Sequence, residues 1–87
     1  MKVIAKSIAV VARFKENGLP EPVKFKIMSE DKTYIECMID RIIQSSIEKY
    51  AGNNMIVYRC QSVINGTAKV YEIKYEISTC KWILFKI

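Results

Sequence analysis

Much of the chain follows a two-residue period. Val23, Phe25 and Ile27 alternate with Lys24, Lys26 and Met28, the pattern of a strand over Val23 to Ser29 with one buried and one wet face. From Met55 to Ile64 a second strand carries Ile56, Tyr58 and Cys60 on one face and Val57, Arg59 and Gln61 on the other. Ala68 to Ser78 sets Tyr71, Ile73, Tyr75 and Ile77 inward against Val70, Glu72, Lys74 and Glu76 outward. Trp82 to Ile87 is apolar on both faces, which predicts a central or barrel-closing strand. Val3 to Phe14 is apolar with Lys6, Ser7 and Arg13 interspersed.

Turn residues punctuate these runs. Asn65-Gly66 lies between two of them, and both residue types tolerate the positive φ of a two-residue hairpin turn. Lys15 to Pro22 holds one glycine and two prolines and reads as a loop. Glu30-Asp31-Lys32 and Ala51-Gly52-Asn53-Asn54 read as turns by composition.

Thr33 to Asn54 supports two readings. As a helix, Ile35, Met38, Ile39, Ile42, Ile43, Ile47 and Tyr50 form one stripe, Thr33 and Glu36 a capping box, and Gly52 a stop. As strands, Ile35, Cys37 and Ile39 face one way and Tyr34, Glu36, Met38 and Asp40 the other, with a bulge at Asp40-Arg41. Composition favours strands. Fourteen Ile, seven Val and three Thr stand against five Ala and two Leu, and β-branched side chains fit a pleated surface better than a helical turn.

Two blocks carry a resemblance. Gly18-Leu19-Pro20-Glu21-Pro22-Val23-Lys24-Phe25, with the apolar stretch from Ile35 to Ile43, is one; Tyr58-Arg59-Cys60, Tyr71-Glu72-Ile73-Lys74-Tyr75 and Trp82-Ile83-Leu84 are the other. Together they resemble a family of short, uncharacterised bacterial proteins built as small β-barrels with SH3-like geometry. The resemblance implies a fold and brings no catalytic residues. The run from Gln44 to Asn54 is longer than such a barrel needs, leaving an extended hairpin or a short helical turn open there. The expected fold is therefore mainly β, a small SH3-like or related antiparallel barrel. Its alternative is an α+β fold with a helix over 33–50 packed on an antiparallel sheet.

At 87 residues the chain forms one domain with little volume to spare for a ligand cavity. The longest apolar stretch, Ile8 to Ala12, is far below the roughly 20 residues of a membrane span, and Lys6 and Arg13 leave no room for a signal-peptide core. No membrane association and a cytoplasmic location are expected. Three cysteines, Cys37, Cys60 and Cys80, have no C-x-x-C spacing. Cys60 reads as core packing, and Cys80, beside Lys81, as a loop thiol.

The chain has no histidine, the commonest general base near neutral pH, and no paired carboxylates with hydrolytic geometry. No enzyme activity, metal or cofactor is expected. Fourteen basic residues against nine acidic ones give a net charge of +5. Lys24, Lys26, Arg13 and Lys15, extended by Lys2 and Lys6 and accompanied by the ring of Tyr34, form a candidate basic face for nucleic acid. The same lysines also serve simply to keep strand edges soluble. The first functional expectation is a binding or accessory protein whose partner is nucleic acid or a nucleic-acid-handling protein. The second is a protein-interaction module using Leu19, Pro20 and Pro22 of the 17–23 loop and an open strand edge.

Overall fold

A computed structural model describes residues 1–87, apart from the side chain of Tyr50. Seven strands make the fold: β1 (Val3–Phe14), β2 (Pro20–Met28), β3 (Tyr34–Met38), β4 (Arg41–Tyr50), β5 (Asn53–Ile64), β6 (Thr67–Glu76) and β7 (Lys81–Lys86). All neighbours are antiparallel, in the order β3-β2-β1-β7-β6-β5-β4, and the sheet curls into a half-barrel. The mainly β, barrel-like expectation holds. Among the described residues no helix is long and apolar enough to cross a membrane.

The curl has two corners. β1 pairs with β7 through Val3–Ile8 and with β2 through Ala9–Phe14, so one twelve-residue strand serves both walls. A bulge between Val3 and Lys6 surrounds Ala5, whose φ is 46°. The second corner is Ile39-Asp40. Ile39 N–H donates to the Val23 carbonyl of β2, and the next amide, Asp40 N–H, to the Gln61 carbonyl of β5, both at 3.0 Å. β2 and β5 stand far apart in the strand order, so these adjacent bonds hold the two walls of the half-barrel together at this corner. The Asp40 carboxylate also accepts the Val63 amide at 3.0 Å.

This corner decides the ambiguous segment. The expected helix over 33–50 is absent and β3 and β4 replace it. Each lays alternate residues on its neighbour, with Cys37 opposite Phe25 and Ile42 opposite Cys60. Gln44 to Asn54 is the extended hairpin, reversed by Ala51 (φ 52°) and Gly52 (φ 80°) with Asn53 and Asn54 already in β5. Asn65 (φ 52°) and Gly66 (φ 77°) make the expected two-residue turn between Ile64 and Thr67.

The core is the inward face of β5, β6 and β7 closed by β2 and β3. Ile56, Tyr58, Cys60, Tyr71, Ile73, Tyr75, Leu84, Phe25 and Cys37 are buried, the larger side chains each contributing about 1.5–3 kcal/mol. Phe25 and Tyr71 meet edge-on at 5.5 Å. Ser62 is buried among them. Its hydroxyl donates to the Met38 carbonyl at 2.7 Å and lies 2.5 Å from the Tyr71 hydroxyl, which ties β5, β3 and β6 together. β7 is central, as its two-sided apolarity predicts. Two expectations are corrected. Ile77 falls past the end of β6 and is exposed rather than inward. The prolines belong to β2, not to a loop. At Pro20 and Pro22 that strand pairs only with β1, since β3 begins pairing at Lys24, so their missing N–H groups break no second ladder.

Candidate nucleic-acid interface

The outward face of β1, β2 and β3 gathers the predicted basic residues. Cross-strand register sets Val11 beside Lys24 and Met38, Ala9 beside Lys26 and Glu36, and Met28 beside Tyr34. By alternation Lys24, Lys26 and Tyr34 therefore share one face, and Arg13, two residues beyond Val11, continues it. Lys6 reaches the Tyr34 end, its ammonium donating to the Met28 carbonyl at 2.8 Å. Lys2, tied by backbone bonds to Ile87, lies away from this strip, beside the C-terminus.

The strip carries one exposed ring. Tyr34, 65% exposed, marks the Met28 end of β2; Phe14, 60% exposed, pairs with the buried Pro20 and, next to the outward Arg13, stands on the other face of β1. Val11, Met28 and Met38 are exposed on the same face as Tyr34. An apolar surface interleaved with ammonium groups is what stacked bases and a phosphate backbone need together.

Acids temper the charge. Glu21 takes Lys15 at 2.6 Å and Arg13 at 3.2 Å, and Glu36 takes Lys24 at 3.1 Å. The hydrogen bonds from Lys15 and then Arg13 hold the Glu21 carboxyl below its ordinary value. Four cations thus face two carboxylates, with the Lys26 ammonium in no ion pair among the described residues. The opposite wall differs: Arg59 pairs with Glu72 and Lys74 with Glu48, while the Lys74 ammonium also sits 3.6 Å over the Phe85 ring.

A groove of about 490 Å³ opens at the mouth of the half-barrel. Its floor is Ile39, Ile42, Ile56 and Tyr58, and one wall is Leu19, Pro20, Pro22 and Val23. Pro20 and Pro22 are buried, so of the three predicted interaction residues Leu19, 44% exposed, is the one that reaches solvent. Arg13, Lys15 and Arg41 rim the groove with Glu21 and Asp40.

Of the thiols, Cys37 and Cys60 are buried and Cys80 is exposed. Burial pushes the Cys60 thiol up to about 12 and raises that of Cys37, the reverse of an activated nucleophile. Among the described residues no group of three or more Cys, Asp or Glu side chains is placed to hold a metal ion. Comparison with protein-family models, with curated proteins and with solved structures finds no match for the chain.

Proposed function

We propose that this small barrel, similar in its two sequence blocks to SH3-like bacterial proteins, is a non-enzymatic accessory protein of the cytoplasm. Its ligand is single-stranded nucleic acid, held on the outward face of β1, β2 and β3. One observation carries the reading: Arg13, Lys15, Lys24 and Lys26 lie along one face, which ends at the exposed ring of Tyr34. Cations spaced along a strand direction follow a phosphate backbone, and the Tyr34 ring offers stacking that tolerates any base.

Fluorescence anisotropy with a labelled single strand of about a dozen nucleotides, a typical site for a small barrel, tests it. Four phosphate contacts predict that affinity falls with salt on a log–log slope of about −3. Lys26→Glu should flatten that slope, and Tyr34→Ala should weaken binding by about 1–3 kcal/mol. Absence of binding at about 50 mM salt, where phosphate contacts are strongest, would sink the reading.

The groove favours a second one, in which an extended segment of a partner protein lies over Ile39, Ile42 and Tyr58 against Leu19. A partner recovered equally well by wild type and Leu19→Asp would count against it.

A further inference from the structure

The two ends of the sheet differ. β3 is a five-residue edge, whereas β4 runs for ten residues and, among the described residues, has a neighbour on one side only, β5. A strand edge of that length with no proline is a template for a further strand. β4 also exposes Ile43 and Ile47, at 40% and 58%.

Its sequence is complementary to itself in one antiparallel register. The partners on β5 assign the faces: Ile42, Ser45 and Ile47 lie opposite the buried Cys60, Tyr58 and Ile56, so they lie on the concave face, where Ser45 and Ile47 remain exposed. Arg41, Gln44, Ser46 and Glu48 lie opposite Gln61, Arg59, Val57 and Met55, and point outward. Ile43 is the extra residue of a bulge. When a second β4 is laid antiparallel with a two-fold axis through Ser45, Gln44 meets Ser46, Ile42 meets Ile47 and Arg41 meets Glu48. Every pair then lies on a common face, because the bulge at Ile43 absorbs the change of phase. Moving the axis to Ser46 sets Ile42 against Lys49; moving it to Gln44 sets Arg41 against Ser46. The register through Ser45 matches apolar with apolar and cation with anion, twice over by symmetry.

We propose that the chain forms a two-fold homodimer through β4, joining two half-barrels into one continuous sheet, with Ile42–Ile47 and Arg41–Glu48 pairs flanking Ser45. Glu48 already receives Lys74 through one oxygen at 2.9 Å, and its second oxygen serves the partner's Arg41. The dimer leaves the outward face of β1, β2 and β3 free. It rests on β4 alone and stands or falls independently of nucleic-acid binding.

Sedimentation equilibrium of the full chain over a range of concentrations tests it. The expected mass at high concentration is twice 10.1 kDa. Arg41→Glu, which sets like charges opposite each other, should raise the dimer dissociation constant at least about tenfold. The charge swap Arg41→Glu/Glu48→Arg should restore it. In a Cys80→Ser background, Ser45→Cys should form an intermolecular disulfide under mild oxidation, because Ser45 meets its own copy on the axis. A monomer at every concentration overturns the proposal. So does a dimer indifferent to Arg41→Glu in which Ser45→Cys fails to cross-link, a result that would place the contact elsewhere.

Discussion

The Tyr58 hydroxyl donates to the Pro20 carbonyl, joining the middle of β5 to the first residue of β2 across the mouth of the half-barrel. Tyr58 is buried, and its ring packs 5.8 Å from Trp82. Pro20 is buried too, and as a proline it brings an acceptor and no donor. Tyr58→Phe keeps the ring and strips that carbonyl of its partner. The expected loss is about 1–3 kcal/mol, a fall in Tm of several degrees for a domain of this size, measurable by thermal denaturation. A melting curve that superimposes on wild type would show that the bond adds nothing.

Alkali should unfold the protein through the same residue. Burial, then the neighbouring Tyr75 and Cys60, push the Tyr58 phenol from its ordinary value near 10 up to about 12; Tyr71 is raised further by burial. The unfolded phenols release their protons first, so the folded state binds more protons above pH 10. The stability tied to these groups is therefore full below about 10 and is lost as pH rises through about 12. Stability to urea should fall steadily across that interval, and the last phenolate absorbance should appear together with loss of structure. Ionisation of all five tyrosines near pH 10 with the fold intact would contradict this.

What was legible in the sequence is what local chemistry alone decides. Asn65-Gly66 reverses the chain as its residue types require, and Tyr71, Ile73 and Tyr75 face inward as their alternation requires. The segment from Thr33 to Tyr50 was not legible, because isoleucines spaced by three and four satisfy a helical stripe as well as two broken strands. The two carbonyls that capture Ile39 and Asp40 belong to Val23 and Gln61, and no window around residue 40 contains both. Lys24, Lys26 and Tyr34 were legible as one face since they alternate on paired strands. Glu21 and Glu36 were not legible as their partners, because register brings Glu21 back beside Arg13 and Glu36 opposite Lys26, from where it reaches Lys24 diagonally.

The thiols should separate by burial. Cys80 is exposed, in the turn between β6 and β7, with φ of 58°. Cys37 and Cys60 are buried and their raised pKa values leave little thiolate. A chromogenic disulfide reagent should titrate one thiol quickly in the native protein and all three after denaturation. Cys80→Ser should remove the fast phase while leaving the melting temperature unchanged. Rapid reaction of two or three thiols in the native state would mean that the core around Phe25 and Tyr71 opens far more readily than its packing allows.

Asp40 bears on closure itself. Its amide donates to Gln61 and its carboxylate accepts the amide of Val63, so one residue grips β5 twice just where the chain passes between the two ends of the sheet. Asp40→Ala keeps the backbone bond and removes the side-chain acceptor. Because the carboxylate is exposed, water replaces part of what is lost, and the expected cost is about 1 kcal/mol, at the neutral end of hydrogen-bond values. The local effect should exceed the global one. Amide exchange should accelerate at Val63 and at the corner amides of Ile39 and Asp40, while Ile73 and Leu84, deep in the sheet, slow or quicken only with overall stability. Asp40→Asn, which keeps an acceptor oxygen, should recover most of the protection at Val63. Uniform acceleration at all of these amides would instead mean that the corner opens only by global unfolding and holds no separate hinge.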